Sequence, residues 1–235
     1  MQSYINASID FHILDRLTGL REAREGIMKN NCTLSILLFS SILVVTGQVL
    51  QAQATVQIQA MRDNTLYQDA SGALSNGAGE YLFTGKNGTG NTRRAVIAFD
   101  IAGNIPEGSA INSVSLHLNM SRTAAGEQTV SLHRITADWG EGNSDADEEE
   151  GAGIVTAAGD ATWLHRFYDT DLWENQGGDF VETASSHISI GDTGKYNWTS
   201  TKEMVADVQL WLNDGARNFG WLLKGNESGP DNHKI

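Results

Sequence analysis

Aromatic rings and carboxylates are the side chains with most chemistry to offer in this chain. Of its six tryptophans, Trp139, Trp163, Trp173 and Trp198 fall near expected loops or strand ends. A flat indole there can stack on the apolar C–H face of a sugar ring while neighbouring polar groups take the hydroxyls. His165 and Arg166, beside Trp163, supply such partners, so Trp173, Trp163, Trp139, His165 and Arg166 are the candidate ligand-binding residues. Trp211 and Trp221 fall on apolar faces and are expected in the core. The carboxylates crowd into Gly140–Gly151, where Asp145, Asp147, Glu148, Glu149 and Glu150 offer hard oxygen ligands. Their spacing fits no EF-hand loop. The run reads instead as a solvated, mobile charge cluster. A glycosidase needs two carboxylates held across a cleft, one with a raised pKa. Glu80, Asp100, Asp138, Glu141, Asp160 and Asp179 supply acids, but nothing in the sequence pairs them. With no nucleophile elbow and no phosphate-cradling loop either, no residue is assigned as catalytic. His117 and His133 have no Cys or His at metal spacing and read as exposed strand histidines.

The elements that must position these residues are mostly strands. Thr55–Ala60 alternates with period two, and Ile111–Met120 does so cleanly, with Val114, Leu116, Leu118 and Met120 on one face. The near-continuous apolar run Ala95–Phe99 predicts a central strand packed on both faces. Val130–Arg134 is expected as the hairpin mate of Ile111–Met120. Thr162–Tyr168, Ser186–Ile190 and Gly194–Trp198 complete the strand set. Near the end, Ser200–Glu203 reads as a capping box ahead of Met204, Val205, Val208, Trp211 and Leu212 on one helical face, with Gly215 as a left-handed stop. The strand Phe219–Lys224 follows. Short strands, Gly-rich turns and a single helix give an all-β, antiparallel, jelly-roll-like β-sandwich with one short amphipathic helix near the C-terminus. The helix is expected to close one end of the sandwich.

Met28–Ala54 carries the marks of a secretory signal: a short basic start, an apolar stretch from Leu34 to Val45, and Ala52-Gln-Ala54 at a small-x-small cleavage position. Cleavage is expected after Ala54, which makes the protein secreted or extracellular. Residues 1–27 read as an upstream extension from a misassigned start, 55–228 as a single β-sandwich domain, and 229–235 as a short, truncated tail whose missing strand would leave an open sheet edge. Cys32 departs with the signal, so the exported domain has no disulfide. The first 54 residues hold four Lys/Arg and four Asp/Glu, so the exported part keeps the whole net charge of −13. Such a surface disfavours nucleic acid and anionic membrane as partners, and the exported chain is expected to have no membrane span.

Several segments resemble, in order, the secreted modules named for their DNRLRE signature. These segments are Asp63-Asn-Thr-Leu-Tyr-Gln68, Arg94–Asp100, Ile105–Leu116, Val130–Arg134 with Asp138-Trp-Gly-Glu-Gly142, and Met204–Leu212 with Phe219–Leu222. The first keeps only Asp, Asn and Leu of the signature. The resemblance covers most of Asp63–Gly225. It implies a non-catalytic extracellular module similar to jelly-roll carbohydrate-binding modules, of a kind commonly attached to surface or polysaccharide-processing proteins, and the expected partners are polysaccharide or cell-surface components. By analogy with such modules, a structural calcium is expected near Asp63 or Asp69. The alternatives are a structural or adhesive extracellular protein with no glycan ligand and, behind it, a polysaccharide-degrading enzyme.

Overall fold

The structure is a computed structural model that describes residues 8–15 and 52–234, apart from 124–125, 148–149 and 230. The apolar stretch of the expected signal and Cys32 lie outside the described residues. The first strands are β1 (Ser8–Asp15), β2 (Ala52–Tyr67), β3 (Leu74–Ser75), β4 (Phe83–Lys86), β5 (Thr92–Phe99) and β6 (Ala110–Met120). Next come β7 (Arg122–Thr123), β8 (Gln128–Arg134), β9 (Ile154–Val155), β10 (His165–Phe167) and β11 (Asp171–Leu172). β12 (Ser186–Ile190) and β13 (Gly194–Trp198) precede the helix α1 (Lys202–Asn213), and β14 (Trp221–Lys224) and β15 (Asp231–Lys234) end the chain.

The strands form an antiparallel all-β sandwich. Its main path runs β12–β8–β14–β5–β2–β1–β6–β13, with β4, β7 and β15 paired to one side. β12 and β13 are consecutive in sequence, so the two ends of the path are brought together and the sheet curls into a nearly closed barrel. β2 belongs to both halves. Its first part pairs with β1, and a register shift between Ala60 and Arg62 precedes its pairing with β5; such a bulge bends a strand. The expected cleavage position after Ala54 falls inside β2.

β5 is central, as its apolar run requires: Ala95–Phe99 are all fully buried. Alternate residues serve different cores. Ala95, Ile97 and Phe99 join Trp221 and Leu223 in the main core between the sheet halves. Val96 and Ala98 join Leu222 and Leu66 in a second core on the outer face. β6 buries Val114, Leu116, Leu118 and Met120, as its alternation predicts.

Four expectations are corrected. β8 is not the hairpin mate of β6: it pairs with β14 and β12 in the other half of the sheet, while β6 pairs with β1 and β13. Period two shows which face of a strand is buried but not which strand lies beside it. The helix is capped by Thr201, whose hydroxyl accepts the Met204 N–H (3.0 Å). Ser200 Oγ instead accepts the Val114 N–H (3.1 Å). Gly215 opens a 3₁₀ turn over Gly215–Arg217, and the left-handed residue that admits the last central strand is Gly220 (φ +78°). The helix buries Met204, Val208, Trp211 and Leu212 in the main core and packs beside β6. Thr162–Tyr168 yields only the three residues of β10, paired with β11.

Asp207 ties helix to sheet. Its carboxylate accepts from Ser185 Oγ (2.5 Å) and Trp221 Nε1 (2.9 Å) and pairs with Arg134 Nε (2.9 Å). Burial still raises its pKa against the pull of those partners.

The close approach at Gly220 gives a direct test. A Cβ there would sit 2.0 Å from the Ile97 carbonyl oxygen, whereas Gly108, also left-handed (φ +80°), has open space around it. Gly108→Ala is expected to cost about 1–2 kcal/mol from backbone strain alone. Gly220→Ala should exceed that clearly or abolish folding, because backbone must move. Urea titration of both variants measures this, and equal losses would show that β14 and β5 have room to spare.

Candidate functional site

The outer face of β5, β14 and β2 cannot be left bare, and the excursion between β8 and β12 covers it. Trp139 (fully buried), Trp163 (7% exposed) and Trp173 (5% exposed) supply the cover, with Ile135 and Ala161. Two of them satisfy their polar edges internally: Trp139 Nε1 donates to the Phe219 carbonyl and Trp173 Nε1 to the Thr162 carbonyl, both at 2.9 Å. Arginines take the ring faces. The Arg62 guanidinium lies 4.4 Å from the Trp139 ring centre, and Arg94 lies 4.9 Å from Trp163 while forming an ion pair with Glu227 (2.7 Å). In this conformation none of the three expected stacking tryptophans presents a face to solvent. Trp198 is buried too, in the main core. His165 and Arg166 are half-buried on β10, where His165 Nδ1 lies 3.2 Å from Thr162 Oγ1 and Arg166 pairs with Asp171 (2.9 Å). His133, expected outside, is buried beneath Phe180. Its Nδ1 is 2.9 Å from the Val181 carbonyl, and burial lowers its pKa.

The acidic loop is only in part the solvated charge run expected: Asp145 and Asp147 are exposed, but Glu150 is buried and bonded. Glu150, buried and left-handed (φ +55°), accepts from the backbone N–H groups of Glu80 and Tyr81 (3.0 Å each) and from Asn76 Nδ2 (2.8 Å). Asp160, fully buried, accepts from the N–H groups of Asn143 (2.8 Å), Ser144 (3.4 Å) and Ala157 (2.7 Å). Asn64 on β2 donates to Ser75 Oγ (2.9 Å) and the Glu141 carbonyl (2.7 Å), and Asn76 Oδ1 accepts the Ala146 N–H (2.8 Å). A chain with little regular structure must satisfy its buried main-chain donors by side chains, and these acids and amides do so.

The Asp138–Gly142 motif acquires a physical meaning here. Asp138 pairs with Arg62 (2.8 Å), Trp139 fills the outer core, and Glu141 Oε1 accepts the Asp63 N–H (3.0 Å). Gly142 is left-handed (φ +80°), and a Cβ there would lie 1.5 Å from Asp160 Oδ1. Sequence reasoning missed Asn64, Ser75, Asn76, Glu150 and Asp160 as a set. The available signal was the short polar run Ser75-Asn-Gly77 facing the glycine-spaced Gly140-Glu-Gly142.

Asp63 and Asp69 do not converge on one site. They are six residues apart in extended chain, about 20 Å. Asp69 is committed to a turn, accepting from the Ser71 hydroxyl and the Ser71 and Ala73 N–H groups, and that Ser71 bond leads the causes that lower its pKa. Among the described residues no group of three His, Cys, Asp or Glu could hold a metal ion. The calcium expected near Asp63 or Asp69 thus has no such group to hold it among the described residues. Asp63 is buried, its carboxyl makes no hydrogen bond among the described residues, and burial first, then Glu141 and Glu150, raise its pKa well above the usual carboxylate range. Burial raises Glu141 as well, against the Asp63 N–H and Arg62. An open cleft of about 420 Å³ runs along the same loop between Ala146 and Ile154, beside Glu150. Val155 (75% exposed) follows the lining residue Ile154, and Leu172 (64% exposed) lies on β11.

Comparison with known proteins finds no matching family model, no matching curated protein and no matching solved structure. Among the described residues, no helix is long and apolar enough to cross a membrane.

Two measurements follow from this geometry. Below about pH 3 Asp63 is protonated in both folded and unfolded chains, and the proton it holds more tightly when folded stabilises the fold fully. As pH rises through its elevated folded value that contribution is lost, because the buried carboxyl must ionise beside two acids. Asp63→Asn should therefore raise the melting temperature at pH 7–8 and leave it nearly unchanged at about pH 3. A variant less stable than the parent at pH 8 would contradict the assignment. Glu150→Ala leaves two N–H groups and an amide without their acceptor and should cost at least about 2 kcal/mol. Limited proteolysis should then cut within 139–160 before the sheet unfolds, and an uncut loop would show that Glu150 does not hold it.

Proposed function

We propose that this chain is an exported, non-catalytic β-sandwich module that attaches to carbohydrate or another cell-surface component. The observation that carries the reading is the use of its acids. Glu150, Asp160 and Asp69 each accept two or more main-chain N–H groups, and so does Asp179, from Glu174 (2.9 Å) and Asn175 (2.8 Å). Carboxylates spent in this way build a platform and are not free for acid–base work. The one pair of neighbouring acids with raised pKa is also tied down, since Glu141 holds the Asp63 N–H. The secretory features of Met28–Ala54, the net charge of −13 and the DNRLRE-type segments support export and attachment.

The contact surface we assign is the loop face formed by the cleft at Ala146–Ile154 and the β10–β11 ribbon with His165, Arg166 and Leu172. The tryptophans support this face from beneath. A second reading, a structural or adhesive protein without glycan affinity, is favoured by exposed Val155 and Leu172 on the same face.

A glycan array probed with the purified protein, with calcium and again with a chelator, separates these readings. Attachment to carbohydrate predicts binding in both buffers, with Arg166→Ala weakening it about 5-fold, roughly 1 kcal/mol. Trp139→Ala should act instead through stability, lowering it by about 3–5 kcal/mol. A folded protein that binds no glycan in either buffer would replace the carbohydrate reading with the adhesive one. Release of new sugar ends from a bound polysaccharide would overturn the non-catalytic assignment.

A further inference from the structure

β1 joins the two halves of the sandwich, yet sequence tethers it least. Ser8–Asp15 lies between Ala52–Gln59 of β2 and Ala110–His117 of β6 and pairs antiparallel with both. Without it, two strand edges would face each other across about 9–10 Å, two interstrand spacings, each with unpaired N–H and C=O groups. Phe11, at the middle of β1 and opposite Val114, is fully buried in the main core. Asp10 lies 3.2 Å from His117 of β6.

Asp15 and Ala52 are direct partners, one strand spacing apart, where a two-residue turn would suffice. The chain instead places 36 residues, 16–51, between them. Such a length can reach on the order of 100 Å, so the connection does not dictate which copy of the chain supplies the strand. Cleavage after Ala54 would sever β1 from β2 altogether, and the groove would then hold a strand by pairing alone.

We propose that the groove between β2 and β6 is a strand-docking site and that its partner is the Ser8–Asp15 segment of a second copy of this chain. The ladders to β2 and β6 give the affinity, the Phe11 socket fixes register, and the Asp10–His117 contact marks orientation. Reciprocal exchange of identical strands closes as a two-fold dimer. This rests on the strand pairing and concerns the uncleaved chain; it is independent of the carbohydrate reading, so failure on a glycan array leaves it standing.

The test uses the full chain with Cys32→Ser as background. One tagged chain carries Asp10→Cys and a second, differently tagged, carries Ser115→Cys; both positions are partly exposed and paired in register, within disulfide reach. The chains are refolded together and oxidised. The expected result is a disulfide-linked dimer carrying both tags, lost on reduction and lost when Phe11→Asp is added to the Asp10→Cys chain. His12→Cys with Ser113→Cys, the neighbouring register pair, should behave alike. A chain carrying both Asp10→Cys and Ser115→Cys reports docking within one copy. Internal crosslinking there without any mixed dimer would overturn the proposal, as would a mixed dimer indifferent to Phe11→Asp or the absence of both crosslinks.

Discussion

The structure depends on strands that are apolar on both faces. β5 and β14 lie side by side, and Val96, Ile97, Ala98, Trp221, Leu222 and Leu223 are all fully buried. Burying a large apolar side chain is worth about 1.5–3 kcal/mol each, so exposing either face would remove a large part of the folding free energy. The inner face is met by the other half of the sheet and by the helix. The outer face is met by the excursion that carries Trp139, Trp163 and Trp173. That excursion has almost no regular structure, so its main-chain donors must find other acceptors. Its buried carboxylates and amides are therefore a consequence of covering a two-faced sheet with irregular chain.

Two buried aspartates show opposite solutions to one problem. Asp207 takes Ser185, Trp221 and Arg134 as partners and thereby welds α1 to β8 and β14. Asp63 has no hydrogen-bonded partner for its carboxyl among the described residues and two acids nearby, so it holds its proton to higher pH than an ordinary carboxyl. Removing a partner from Asp207 would leave a buried group unsatisfied. Neutralising Asp63 relieves a repulsion. The same residue type thus stabilises one end of the sheet through bonds and is tolerated at the other through protonation.

Local periodicity made much of the fold legible. The alternation of Val114, Leu116, Leu118 and Met120, the unbroken run Ala95–Phe99, and the 3.6-residue spacing of Met204, Val208 and Trp211 each report a burial face, and each is observed. Partnership was not legible. Nothing in Val130–Arg134 distinguishes a hairpin with β6 from its actual place between β14 and β12, because both bury the same residues. The cap moved by one residue because Ser200 and Thr201 are both competent hydroxyls, and tertiary contact with Val114 claims the first. The tryptophans were hardest to place. An indole in a turn-rich, polar stretch looks available to a ligand until the sheet beneath it is seen to need cover.

With those rings turned inward, the surface left for recognition is of a different kind. Side chains that carry charge are heavily committed: Arg62 and Arg94 to ring faces and carboxylates, Glu150 and Asp160 to main-chain N–H groups. What remains exposed on the loop face is the cleft beside Glu150, the half-buried His165 and Arg166, and the aliphatic Val155 and Leu172. A surface with a net charge of −13 holds anionic partners at a distance. That charge does not act on neutral groups, which are read by shape and by main-chain hydrogen bonds. Strand pairing at the β2–β6 groove has that same character, since a ladder of N–H and C=O groups is indifferent to net charge and specific only through register and one aromatic socket.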